Sequence, residues 1–128
     1  MRWTALYAGV LALVYVALAW RVIGLRRRHE VGIGDGGHKD LARAIRVHAN
    51  FAEYTPLALL LTGMIELNGA PAWLVHGCGA ALLVGRVGHA WGLGRSAGTT
   101  VGRFYGMVLT FTALLVAGGY GIYQGLAA

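Results

Sequence analysis

Four apolar windows leave this chain little room to be anything but a set of long helices in a bilayer. Trp3 to Leu25, Leu41 to Leu67, Pro71 to Leu93 and Val101 to Ala127 are each long enough to cross about 30 Å of hydrocarbon at about 1.5 Å per residue. With 57% apolar and 12% charged residues in 128, and a mean hydropathy of +0.59, a soluble globule is a poor alternative. The expected fold is all-α: one integral membrane domain over residues 1–128, a four-helix bundle with four transmembrane helices.

The net charge of +6 would suggest nucleic acid in a soluble protein. Here Arg26, Arg27, Arg28, Lys39, Arg95 and Arg103 flank the apolar segments, so the charge reads as topology and no nucleic-acid partner is expected. Four spans put the loops after the first and third segments on one side. The positive-inside rule makes those basic loops cytoplasmic and turns both termini outward, in a multi-pass protein. The first segment, closed by three consecutive arginines, reads as a retained helix and not as a cleaved leader. Cys78 stands alone, which excludes an internal disulfide and a Cys-x-x-Cys redox motif.

The second window carries the polar residues that need explaining. Arg43, Arg46, Asn50 and Glu53 follow one another at spacings of three, four and three, within about 80° of one helical face. Ionisable groups at membrane depth cost about 2.5–3.5 kcal/mol each, so they face a protein interior or a wet cavity. Arg43 is near enough to the end to snorkel. Glu53, about 15 Å further along the axis, is not, and requires an internal partner. Asp40 is placed to cap this helix, and Pro56 is expected to interrupt it with a bend one turn beyond Glu53. Pro71 suits the first turn of the third helix after a tight Asn68-Gly69-Ala70 hairpin.

Near the cytoplasmic end of the third window, GRVGHAWG sets Arg86 and His89 three residues apart, at the depth of Arg46 and Asn50. Arg103, entering the fourth window, is expected to point back toward them, and Arg26 to turn toward the second helix. The glycine-rich stretch from His29 to Lys39 is a loop. It lacks the Lys-Ser/Thr ending and the preceding strand of a phosphate-binding loop. No metal site is expected. Gly88 with Gly92, Gly102 with Gly106 and Gly121 with Gly125 offer close helix approach.

Several cations around one carboxylate suit a small ligand with more than one carboxylate and one amine. Arginines form charge-assisted bonds to the first, and Glu53 takes the second. Glutathione has that pattern, and a nearby arginine would lower its thiol pKa. These residues carry a resemblance. RVHANFAEYTP, containing Arg46, Asn50, Glu53 and Tyr54, followed by GRVGHAWG, resembles the second and third helices of the MAPEG family, the membrane-associated proteins in eicosanoid and glutathione metabolism. The resemblance implies a homotrimer of four-helix bundles that binds glutathione as cosubstrate between subunits. It implies glutathione contacts for Arg46, Asn50, Glu53, Tyr54 and His89, to which the reading of the residues themselves adds Arg26 and Arg86 as further cations of the same cavity. It implies thiolate stabilisation by Arg103, with Arg95 as the alternative, and a small apolar electrophile reaching the site from membrane lipid. Leu93 stands where better-known members have a tyrosine.

Three functional classes stay open: a glutathione-dependent transferase or peroxidase, a small proton-coupled transporter, and a non-catalytic scaffold or lipid-binding protein. The arginines weigh against the transporter, because a proton-coupled carboxylate needs a raised pKa and close cations depress it.

Overall fold

The computed structural model describes residues 1–95, 98 and 100–127, the side chains at 93–95 excepted. It contains four helices, α1 (Arg2–His29), α2 (Lys39–Leu67), α3 (Ala72–Arg95) and α4 (Val101–Ala127), and no strand among the described residues. At 28 and 27 residues, α1 and α4 are each long enough, and contain a stretch apolar enough, to cross a membrane. α2 packs against all three other helices, whereas α1 and α4 do not meet among the described residues.

The α2 seam explains its central place. Ala44, Val47, Phe51, Ala58 and Ile65 are buried at spacings of three, four and seven, one stripe along the helix. Phe51 and Ala58 join Leu11 of α1, Leu82 of α3 and Ala113 of α4 in the larger core. Ile65 joins Leu74, Cys78 and Ala117 in a second one nearer the α2–α3 hairpin. Only Thr4 and Leu11 of α1 are buried, and Leu13, Val16 and Trp20 face outward. That helix presents a broad apolar surface to its surroundings.

Three local expectations need correction. α2 continues through Pro56 as a single helix instead of being interrupted. Its N-cap is His38, not Asp40, and Asp40 lies within the first turn, where its Oδ1 accepts from the Leu41 N–H at 2.9 Å. Pro71 precedes α3, accepting from the Val75 N–H as the helix starts, so it occupies the cap position and not the first helical one.

The helix ends are closed by neighbours. Glu66, at the end of α2, accepts from the N–H groups of Trp3 (3.0 Å) and Thr4 (2.8 Å), two donors that the start of α1 leaves free. α1 ends at Glu30, left-handed at φ 55°, with Val31 N–H bonded to Arg26 O and Glu30 N–H to Arg27 O. The α2–α3 hairpin uses the same closure with Gly69 at φ 84°, a conformation glycine adopts without strain.

α3 and α4 touch backbone to backbone. A Cβ on Gly106 would lie 2.6 Å from Gly85 O and 2.7 Å from His89 N, and one on Gly102 would lie 2.7 Å from Gly88 O. The expected glycine pairs at 88/92 and 102/106 therefore seat this crossing, whereas a Cβ on Gly125 would meet nothing within 4 Å among the described residues. This contact sets the height of His89 and Arg86 against Arg103.

Candidate functional site: a polar cluster between α2, α3 and α4

Arg86 is the centre of the site. It is 1% exposed, and the hydrogen-bond partners of its guanidinium among the described residues are all neutral groups. Nε donates to Thr110 Oγ1 at 3.0 Å, Nη1 to Asn50 Oδ1 at 2.6 Å and Nη2 to Met107 Sδ at 3.2 Å. The Tyr54 ring lies 5.5 Å from its carbon, within cation–π range. No carboxylate pairs with Arg86 among the described residues. A buried cation held only by dipoles keeps its net charge, and an anion brought beside it is stabilised strongly in so dry a place.

Asn50 is turned inward by its place on the buried seam of α2. Arg46 and Glu53, one turn either side, stand on the flank of the bundle. They pair at 2.8 Å, with side chains 55% and 49% exposed. The sequence stripe thus divides: Asn50 anchors Arg86, and the ion pair faces outward. Glu53 finds its partner on its own helix. Arg43 is half-buried and its Nε has no hydrogen-bond partner among the described residues.

One turn beyond Arg86, buried His89 lines a cleft of about 440 Å3 together with Arg103, Phe104, Met107, Val108 and Phe111. That volume falls in the range of small-molecule sites. Met107 links the two halves, with its sulfur on Arg86 and its side chain in the cleft wall. Phe111 does the same for Tyr54, whose ring meets it edge-on at 5.7 Å. Arg103 donates from Nη1 to Gly98 O at 2.6 Å, which holds the side chain at the mouth. The charges acting on the His89 ring are those of Arg86, Arg103 and Arg46.

The structure therefore brings Asn50 and Tyr54 to Arg86, and His89 and Arg103 into one cleft that Met107 joins to Arg86, while Arg46 and Glu53 pair with each other on the outer flank of α2. It does not bring Arg26 to them. Arg26 Nη1 donates to Val31 O (3.4 Å) and Gly34 O (2.9 Å), bracing the loop after α1. The side chains of Leu93 and Arg95 lie outside the described residues. Sequence reasoning missed Thr110, Met107 and Phe111, although Arg103, Met107, Thr110 and Phe111 recur at spacings of four, three and one on one face of α4. A separate groove of about 340 Å3 between α1 and α2, lined by Leu11, Tyr15, Phe51 and Thr55 among others, carries no charged group.

Fold and site together define a helical membrane protein with a cationic, cleft-lining cluster buried among its helices. Its sequence matches the model of the MAPEG family over residues 4–123, nearly the whole chain, and the protein belongs to that family. Among curated proteins it is similar to the inner membrane protein YecN of Escherichia coli (strain K12). The two are 45% identical over 89 residues, covering 70% of this chain and 68% of the relative. The same protein from Escherichia coli O6:H1 matches with the same identity and coverage. The chain is accordingly an integral membrane protein.

Proposed function

We propose that the protein is a glutathione-dependent transferase or peroxidase acting on an apolar electrophile, with its site completed between copies of a homotrimer of four-span subunits. The observation that carries this reading is the charge distribution around Arg86. A guanidinium without a carboxylate lies beside a cleft with a second guanidinium, Arg103, at its mouth, and the Arg46–Glu53 pair lies on the adjoining flank. The cations suit the two carboxylates of glutathione, and Glu53 offers its ammonium group a counterion.

The exposure of the Arg46–Glu53 pair supports the assembly. Two ions on a lipid-facing flank cost about 2.5–3.5 kcal/mol each, a cost that a neighbouring subunit removes by covering them. In such a trimer Arg26 of a neighbour is free to join the site once its loop contacts exchange. With basic loops cytoplasmic and both termini outside, the cleft opens toward cytosolic glutathione. Arg103 stabilises the thiolate. In transfer, that sulfur forms a bond to the electrophilic carbon as the leaving group departs with the bonding pair, and the thiol proton passes to solvent. In the peroxidase reaction, two glutathione thiols are oxidised to a disulfide while a hydroperoxide is reduced to an alcohol and water.

Calorimetric titration of the detergent-solubilised protein with glutathione, alongside chemical cross-linking, tests this. Saturable binding and cross-linked species ending at three subunits are expected. Absence of glutathione binding would return the protein to the transporter or scaffold class.

A further inference from the structure

The loop between α1 and α2 gathers three metal-ligating side chains that the glutathione reading does not use. His29 closes α1, His38 caps α2 through its backbone, and Asp40 follows in the first turn. One ligand atom from each lies within 4.8 Å of the other two, and all three residues are half-buried. His29 Nε2 is 2.9 Å from Asp40 Oδ2, and the His29 and His38 rings stack with centroids 3.8 Å apart and 15° between planes. We propose that His29, His38 and Asp40 form a binding site for one divalent transition ion of the zinc class at the α1–α2 junction.

The geometry needs little movement to close. Around a tetrahedral ion with bonds of about 2.0–2.1 Å, ligand atoms stand about 3.3 Å apart. The His29–Asp40 separation is already shorter than that, as suits a direct hydrogen bond in the place an ion would take. Both Asp40 oxygens already face His29 Nε2, Oδ1 at 3.1 Å and Oδ2 at 2.9 Å, and the Leu41 N–H holds Oδ1, which fixes the carboxylate toward the ring. The ring nitrogens of His38 have no hydrogen-bond partner among the described residues, and its side chain provides no cap bond, so capping does not account for its inward stack.

The loop that presents His38 is itself braced. Arg26 spans Val31 O and Gly34 O, Asp35 O accepts from the His38 N–H at 2.9 Å, and Asp35 Oδ1 accepts from Gly37 N–H at 2.9 Å. Two imidazoles and one carboxylate are the ligand set of open zinc-type sites, with water in the remaining position. With two imidazole nitrogens and a single carboxylate, the site offers too few oxygens for hard ions such as calcium and magnesium. An ion here would tie the end of α1 to the helix bearing Arg46, Asn50 and Glu53.

The test uses the full-length, tag-free protein in detergent, stripped with chelator and titrated with cobalt(II) while visible absorption is followed. One cobalt per chain is expected, with the intense bands of four- or five-coordinate cobalt, displaced by zinc(II). His38→Phe keeps the ring stack and removes the nitrogen ligands, and Asp40→Asn keeps the bond to His29 and removes the charge. Each is expected to weaken cobalt binding by about 100-fold, at the upper end of what loss of a mere outer partner costs. Wild-type protein that gives no such spectrum at millimolar cobalt overturns the site. So does a His38→Phe variant that binds as wild type does, which would move the ion to another histidine.

Discussion

Replacing Asn50 by aspartate gives Arg86 the counterion it lacks, with almost no change of shape. A carboxylate then stands at the position now 2.6 Å from Nη1, and the net charge of the buried network falls to zero. Two consequences follow. The melting temperature in detergent should stay at or above that of wild type, because an ion pair with retained hydrogen bonds replaces an uncompensated cation. Glutathione affinity should fall, because its carboxylate loses one charge-assisted interaction of about 1.5–3 kcal/mol, or about 10- to 150-fold in Kd. Asn50→Ala is the control. It removes the same side-chain contact with ligand but leaves Arg86 charged, and it should lower stability by about 1–3 kcal/mol through the orphaned donor. Calorimetric affinities and melting curves on both variants isolate the charge effect as the gap between them. Equal affinities for Asn50→Asp and Asn50→Ala would show that the charge of Arg86 does not hold the ligand.

Gly106→Ala should destabilise the bundle by about 1–3 kcal/mol in thermal melts, since its Cβ meets the backbone of Gly85 and His89 at 2.6 and 2.7 Å and the helices must part. Gly125→Ala, with nothing within 4 Å, should leave the melt unchanged, and equal effects would mean that the α3–α4 crossing is looser than described. Glu66→Gln leaves one oxygen for two N–H donors at the start of α1 and should cost about 1 kcal/mol. It should be read as faster hydrogen exchange at Trp3 and Thr4 alone, and unchanged exchange there would mean that Glu66 does not cap that helix.

The helices were legible because the four apolar windows are long and the breaks between them are rich in glycine, charge or proline. The site was legible where one helix supplied the pattern. Arg46, Asn50 and Glu53 share a face by spacing alone, and Arg86 with His89 follows from a three-residue step. What spacing could not give was the division of that face. Asn50 turns inward and Arg46 with Glu53 outward because the buried seam through Val47 and Phe51 fixes the rotation of α2, and α2 acquires that rotation only by packing. The place of Arg26 within one chain was hidden for a related reason: a long side chain at a helix end can meet either a neighbouring helix or its own loop, and here it braces the loop. Glu66 gave no signal at all. Its partners are backbone groups of Trp3 and Thr4, more than sixty residues away. Pro56 removes one N–H without ending α2, because the rest of the helix stays hydrogen-bonded and packed on both sides of it.

The central claim, that this cluster binds glutathione and holds it as the thiolate beside Arg103, is tested most directly by ultraviolet absorbance. Glutathione bound to wild-type protein and to Arg103→Leu is titrated with base, and the thiolate band is followed. The wild type should show thiolate near neutral pH, well below the ordinary thiol pKa of about 8.5, and Arg103→Leu should return the transition toward that value while keeping part of the affinity. A wild-type titration at the pKa of free glutathione, or one that Arg103→Leu leaves unmoved, would contradict the account.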